Sequence, residues 1–164
     1  MTNEQKMQLV LKLAEEALQH GELPIASIIF HRDDVIAQGH TSEVRDRRLL
    51  VHAELKALLQ LDLMNIGFEK RPEMQLFTNL EPCMMCFGAT ISSFIGEACY
   101  SFDAPSDGAA VWASNTWQEH HAKSGFSLPR IIPGVLEEES KELFRRYVEE
   151  HKEGPMVDWV RTIL

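Results

Sequence analysis

The sequence contains little cysteine, no long apolar run and fewer basic than acidic residues. Three cysteines in 164 residues are too few for the disulfide framework of a small secreted domain. No stretch approaches the roughly 18 consecutive apolar residues of a membrane span, and the polar start MTNEQKMQ lacks the order of a signal peptide. We therefore expect a soluble cytoplasmic protein without a membrane partner.

The deficit of positive charge bears on possible partners. Sixteen Lys and Arg against 25 Asp and Glu give a net charge of -9, which disfavours indiscriminate attraction to the phosphates of nucleic acid. Residues 137–164 repeat this imbalance, with eight acids against five bases. The one dense basic patch consists of Arg45, Arg47 and Arg48, which indicates either phosphate recognition or a solvated loop.

The organisation of the chain is that of one α/β domain over residues 1–164. The apolar fraction of 45% suffices for one core, and no repeat or linker divides the chain. Hydrophobic spacing predicts strands at 25–30, 35–38, 75–79, 98–102 and 131–132, and helices at 3–20, 52–61, 83–94, 108–121 and 137–151, with a last segment behind Pro155. This alternation predicts a three-layer α/β/α sandwich with a mixed, partly parallel five-stranded sheet.

Three candidate metal ligands stand at predicted helix starts. His52 begins one helix, and Cys83 and Cys86 begin another. Residues three apart share a helix face, and a helix N-terminus favours the thiolate that binds metals. One imidazole and two thiolates suit zinc, and three protein ligands leave a fourth tetrahedral position for water. The pattern therefore predicts one catalytic zinc ion per chain rather than a structural one.

Glu54 lies two residues after the candidate ligand His52. A carboxylate at this position can move a proton between a zinc-activated water and a leaving group. His-Ala-Glu followed by Pro-Cys-x-x-Cys is a recorded signature of zinc deaminases that act on nucleobases. We therefore predict that Glu54 is the catalytic residue.

These motifs resemble the cytidine and deoxycytidylate deaminase superfamily. The resemblance is carried by residues 52–54 (HAE) and 80–86 (LEPCMMC) and is closest to the branch of tRNA adenosine, guanine and fungal-type cytosine deaminases. It implies a cytidine deaminase-like fold and hydrolytic release of ammonia from a purine or pyrimidine. It further implies that His52, Cys83 and Cys86 hold zinc, that Glu54 moves the protons and that the chain forms a homodimer.

The substrate-facing positions depart from the pattern of these relatives. Many relatives carry Asn where this chain has Thr41, so Asn79 is a candidate for the missing amide; alternatively Asn79 bonds backbone at a strand end. Asp103 matches an acidic position of the tRNA-acting and guanine-acting relatives. Trp159 resembles the aromatic residue that closes the pocket in fungal cytosine deaminase. We expect these four residues to contact the substrate, whereas Glu22 and Glu81 are expected to bond backbone amides near the site.

Three functions follow from this resemblance. The first is deamination of a small nucleobase, nucleoside or related heterocycle, guanine-like or cytosine-like, to a carbonyl. The second is adenosine-to-inosine deamination of tRNA, which the acidity of the chain disfavours. The third is a catalytically silent zinc-binding scaffold, against which the retained Glu54 argues.

Overall fold

One mixed sheet organises the part of the chain that the computed structural model describes, residues 1–116 and 125–164. Its strands are β1 (Ala26–His31), β2 (Asp34–His40), β3 (Met74–Thr78), β4 (Glu97–Tyr100) and β5 (Arg130–Ile132). They lie in the order β2-β1-β3-β4-β5. β1 pairs antiparallel with β2 and with β3, while β3, β4 and β5 run parallel. The mixed five-stranded sheet expected from the sequence is confirmed.

Helices cover both faces of this sheet. They are α1 (Asn3–Gln19), α2 (Glu43–Asp46), α3 (Ala53–Leu63), α4 (Met84–Ser92), α5 (Ala110–Thr116), α6 (Glu137–His151) and α7 (Pro155–Ile163), with a 3-10 helix at Phe68–Glu73. α1, α6 and α7 pack on one face, and α3, α4 and α5 on the other. The α/β/α sandwich is therefore confirmed. The predicted continuation of α5 to residue 121 falls on 117–124, outside the described residues.

The two faces follow from the alternation of side chains along the central strands. In β1, Ile28 and Phe30 join the core beneath α1 and α6, whereas Ile29 joins the core beneath α3. In β3, Phe77 faces the first of these layers and Leu76 the second. Successive side chains of a strand point to opposite faces, so one apolar segment supplies both cores.

Strand directions bring several chain segments to one edge of the sheet. The carboxyl ends of β3 and β4 lie there because these strands are parallel. The start of β1 and the end of β2 lie there too, because β1 is antiparallel to both of its neighbours. Segments 22–25, 41–43, 79–83 and 101–109 therefore meet at this edge, which is the usual position of ligand sites in such sheets.

A close approach between β2 and α3 holds the start of α3 near this edge. A Cβ at Gly39 would lie 2.6 Å from the Cβ of Lys56 and 2.7 Å from the carbonyl oxygen of Ala53. Only glycine allows the helix to pack this near the strand. Among the described residues, we find no helix with the length and apolar character of a membrane span.

Candidate active site

His52, Cys83 and Cys86 converge at the carboxyl edge of the sheet. His52 is the N-cap of α3 and Cys83 is the N-cap of α4, while Cys86 lies one turn into α4. The Nδ1 atom of His52 lies 3.6 Å from each sulfur. We call these three residues the metal cluster, since their ligand atoms all lie within 4.8 Å of one another.

The donor set and spacing of the metal cluster fit zinc. A tetrahedral zinc ion, with a Zn–N bond of about 2.1 Å and Zn–S bonds of about 2.3 Å, separates nitrogen from sulfur by roughly 3.6 Å. The observed separations between Nδ1 of His52 and the two sulfurs are both 3.6 Å. The three ligands thus already have the arrangement that the ion requires.

Hydrogen bonds within the metal cluster set the proton affinities of its members. A bond from Cys86, together with one from His52, lowers the pKa of Cys83 to about 4. The same bond to Cys83, with burial, raises the pKa of Cys86. Hydrogen bonds to Cys83 and Glu43 raise the pKa of His52 to about 10. Because ligands must be deprotonated, a metal has to displace the protons of His52 and Cys86.

Glu54 lies in the first turn of α3, beside the metal cluster. Its side chain is buried, and burial raises the pKa of its carboxyl group. Thr78, at the end of β3, donates a hydrogen bond of 3.2 Å to its Oε1 atom. A buried carboxyl group with a raised pKa takes up a proton more readily than an exposed one, as a proton carrier must.

The metal cluster opens into a pocket of about 300 Å³. This volume lies at the small end of pockets that bind small molecules. The pocket is lined mainly by apolar side chains together with four acids: Leu23, Ile25, Thr41, Glu43, Leu49, His52, Ala53, Glu54, Leu80, Glu81, Cys83, Asp107, Met156 and Trp159.

Two of the four expected substrate contacts, Thr41 and Trp159, line this pocket. Thr41 is buried, and its hydroxyl group donates to the carbonyl oxygen of Leu23. Trp159 reaches the pocket from α7, and its Nε1 atom donates to Oγ of Ser106 at 3.1 Å. The flat indole is thus fixed at the mouth of the pocket.

The structure does not bring Asn79 into the pocket. Its Oδ1 atom accepts from the amide of Ala26 at 2.8 Å, and its Nδ2 atom donates to the carbonyl oxygen of Pro24 and to Oγ of Ser140. The side chain is fully buried. Its amide group therefore ties the strand ends together, as in the alternative interpretation of this residue.

Asp103 also lies apart from the metal cluster. It is exposed, accepts a hydrogen bond from the Tyr100 hydroxyl at 3.1 Å and lines a second cavity of about 310 Å³. Asp107, four residues further along the same loop, lines the first pocket instead. The sequence predicts a substrate contact at Asp103, which lines the second cavity, and does not single out Asp107, which lines the first pocket.

Glu22 and Glu81 bond backbone amides, as the sequence predicted. Glu22 accepts from two amides of α2, and Glu81 accepts from three amides in the loop after β4 and in α5. A Cβ at Gly108 would lie 2.1 Å from Oε2 of Glu81, so this glycine leaves room for the carboxylate.

Among the pocket residues that sequence reasoning missed are Glu43, Leu49, Asp107 and Met156. None of them belongs to a motif with a fixed spacing to the metal cluster. Glu43 lies nine residues before His52, and its Oε1 atom is 3.1 Å from Nε2 of that imidazole. The signal that could have found it is an acid in the segment that leads to the metal histidine.

A comparison with protein families identifies the family of this chain. Residues 1–102 match the cytidine and deoxycytidylate deaminase zinc-binding region. The chain belongs to this family. The deaminase family acts hydrolytically on C–N bonds, which is the reaction class of this member, and its cofactor is zinc.

Two curated relatives of this deaminase are both tRNA-specific adenosine deaminases. The chain is 30% identical to the tRNA-specific adenosine deaminase of Agrobacterium fabrum over 151 residues, which cover 89% of this chain and 93% of the relative. The tRNA-specific adenosine deaminase of Bacillus subtilis (strain 168) is 28% identical, covering 81% and 80%.

Similar solved structures include enzymes of two substrate classes. A transfer RNA deaminase that edits adenosine to inosine at the wobble position is 26% identical with a TM-score of 0.70, covering 84% of this chain and 96% of that one. A guanine deaminase from Nitrosomonas europaea is 27% identical with a TM-score of 0.66, covering 89% and 84%. Family membership thus leaves both RNA and a free base as substrate classes.

Proposed function

We propose that this protein is a zinc-dependent deaminase of a small aminated heterocycle, a nucleobase or nucleoside that is guanine-like or cytosine-like. The observation that carries the proposal is the buried Glu54 carboxyl group beside the metal cluster in a pocket of about 300 Å³. A pocket of this size accommodates a single ring system. The reaction replaces the exocyclic amine with a carbonyl group and releases ammonia.

In this proposal His52, Cys83 and Cys86 hold the metal. When bound, zinc lowers the pKa of water toward neutrality and so supplies a nucleophile at neutral pH. The spacing of 3.6 Å between Nδ1 of His52 and each sulfur supports this ligand set.

Glu54 is the proposed catalytic residue. Its carboxylate would take one proton from the attacking water and pass it to the ring nitrogen, and would then take the proton of the newly added hydroxyl group and pass it to the leaving amine. Burial supports this role because it raises the pKa of the carboxyl group and so favours proton uptake. The hydrogen bond from Thr78 supports it because it fixes one carboxylate oxygen. The same features argue against a silent scaffold, which has no need of a proton carrier.

The shape of the pocket supports a planar substrate. Trp159 offers an aromatic surface on which a base can stack. Its hydrogen bond to Ser106 fixes the indole before any substrate enters. Thr41, with its hydroxyl group bonded to backbone, contributes shape rather than a free donor.

The charge of the lining favours a substrate without phosphate. Glu43, Glu54, Glu81 and Asp107 line the pocket, and among the described lining residues there is neither Lys nor Arg. These acids disfavour a phosphate, because no basic side chain of the lining offsets their charge. Of the nearby basic patch, Arg45 is paired with Asp46 at 2.9 Å.

The second candidate function is deamination of tRNA. It is favoured by the relatives at 28% and 30% identity, both of which are tRNA-specific adenosine deaminases. In that case Arg47 and Arg48, which are exposed beside the pocket, would contact phosphates.

An ammonia-release screen of zinc-loaded protein distinguishes these functions. The compounds are guanine, cytosine, adenine, their nucleosides, aminated triazines and a tRNA anticodon stem-loop, with Glu54→Gln as the matched control. We expect ammonia from a base or nucleoside and none from RNA. Ammonia from the stem-loop alone supports the second candidate, and zinc binding without ammonia from any compound supports the scaffold.

We also propose that the protein acts as a homodimer. Leu50, Leu59 and Met84 expose apolar side chains on the segments that carry the metal cluster or border it, which supports burial against a second copy. Sedimentation equilibrium should give twice the mass of the 18.7 kDa chain; a monomer at all concentrations contradicts the proposal.

A further inference from the structure

Glu43 faces the side of the His52 ring that points away from the sulfurs. Its Oε1 atom lies 3.1 Å from Nε2 of His52, while Nδ1 of the same ring lies 3.6 Å from Sγ of Cys83 and of Cys86. The two ring nitrogens thus have separate partners, a carboxylate on one side and the metal cluster on the other. Both side chains are only partly exposed, at 31% for His52 and 25% for Glu43.

The backbone that carries Glu43 is fixed by contacts from elsewhere in the fold. The buried carboxylate of Glu22 accepts from the amides of Val44 and Arg45 at 3.0 and 2.7 Å. Lys56 of α3 donates to Oγ of Ser42 at 3.0 Å. These contacts hold both ends of the short segment that begins α2, so the Glu43 side chain starts from a defined position.

We propose that Glu43 is a positioning residue for the metal cluster. Its carboxylate accepts the Nε2–H of His52, which selects the tautomer and ring orientation that present the Nδ1 lone pair to the metal. Carboxylate partners of metal-binding histidines act in this way, and their removal costs about 10- to 100-fold in metal affinity. Glu22 supports the same arrangement through α2. The inference rests on the proposed metal role of His52 but not on the identity of the substrate.

The negative charge of Glu43 alone offers a second explanation for weaker zinc binding after its substitution. A carboxylate near a divalent cation attracts it at long range without orienting a ligand. Asp107 provides the matched control, because it lines the same pocket while its carboxylate accepts a hydrogen bond from Ser106. Asp107→Asn removes one negative charge from the pocket and leaves the contact between Glu43 and His52 in place.

The test measures zinc affinity of the full chain by competition with a chromophoric chelator. We expect Glu43→Ala to bind zinc about 10- to 100-fold more weakly than wild type, and Glu43→Gln to lose less, because its amide oxygen can still accept from Nε2. Asp107→Asn should stay within about threefold of wild type, because water and salt screen the charge of this exposed carboxylate. The Co²⁺-substituted Glu43→Ala protein should show an altered d–d absorption band, because the ring orientation changes.

A variant at Glu22 keeps the inference falsifiable even if Glu43→Ala folds poorly. Glu22→Gln loosens α2 without changing Glu43, so it should weaken zinc binding less than Glu43→Ala. In the double variant it should add little further loss, because both changes act on the same contact. Zinc affinity of both Glu43 variants within twofold of wild type, or an equal loss in Asp107→Asn, overturns the inference. Failure of the ammonia screen with normal zinc binding overturns only the proposed function.

Discussion

The pocket has two walls that differ in construction. The metal wall (His52, Glu54, Cys83 and Cys86) stands at the N-termini of two helices against the sheet, and Glu54 is 4% exposed. The facing wall (Leu49, Asp107, Met156 and Trp159) comes from two loops and the last helix, and Leu49 is 83% exposed.

The two walls are expected to serve different purposes, zinc binding and turnover in the metal wall and substrate binding in the facing wall. Spacings of two or three residues at a helix start fix the metal wall, so its geometry tolerates little change. The facing wall depends on contacts between distant segments, such as Trp159 with Ser106. We therefore expect substitutions in the metal wall to affect turnover or zinc and those in the facing wall to affect substrate binding.

The largest effect is expected at Glu54. Glu54→Gln removes the proton carrier but keeps the shape of the side chain, so kcat should fall by about 10²- to 10⁴-fold. Zinc content, measured by mass spectrometry of the metal, should stay at wild-type stoichiometry. Wild-type kcat in the zinc-loaded variant would contradict the proposed role.

Loss of a metal ligand should affect zinc itself. Cys83→Ala should weaken zinc binding by more than the roughly 100-fold that removing a partner of a ligand can cost, and the thermal midpoint should no longer rise on addition of zinc. Cys99→Ala is the matched control, because Cys99 is the third cysteine and belongs to the core cluster beneath α1 and α6. Equal zinc loss in both variants would show that Cys83 acts through folding.

Zinc affinity should depend on pH through the protons that the metal displaces. The pKa of His52 is raised to about 10 and that of Cys86 is also raised, so both groups are protonated at neutral pH. Zinc must release these protons, and its affinity should therefore rise with pH, roughly tenfold per unit for each proton released. Chelator competition at pH 6, 7 and 8 measures the slope; an affinity that is constant above pH 7 contradicts the raised His52 pKa.

The smallest effect is expected in the facing wall. Trp159→Ala removes a stacking surface worth about 1–3 kcal/mol, so KM should rise about tenfold with little change in kcat or zinc content. Trp112→Ala is the matched control, since Trp112 is half-exposed on α5 and does not line the pocket. A fall in kcat alone would place Trp159 with the metal wall.

The sequence predicts best those elements whose apolar residues recur at the spacing of a helix or strand. The predicted helix 137–151 coincides with α6, where Leu143, Phe144 and Tyr147 form the buried face behind an acidic first turn. α2 escaped prediction because four residues have no period and none of them is buried. Its amides are instead satisfied by Glu22, about twenty residues away.

The residues of the candidate site also differ in how well the sequence predicts them. Local spacing predicted the residues of the metal cluster, because helix geometry alone brings Cys83 and Cys86 to one face. It could not predict the contacts of Asn79, because the side-chain amide of this residue forms hydrogen bonds with Ala26 and Ser140. Each of these partners lies more than fifty residues away along the chain. It also could not place Asp103 and Asp107 relative to the pocket, because the path of their loop depends on the hydrogen bond from the amide of Ala104 to Glu81.

The hydrogen bonds that Glu81 accepts from three backbone amides have a consequence for protein engineering. Glu81 belongs to the segment that leads into the metal cysteines, yet its Oε1 and Oε2 atoms organise the loop that carries Asp107 and the start of α5. This loop is therefore not an exchangeable module. A loop grafted from another deaminase would have to retain a glycine at 108 and backbone amides that reach Glu81. Otherwise the graft would also disturb the segment that leads into Cys83 and Cys86.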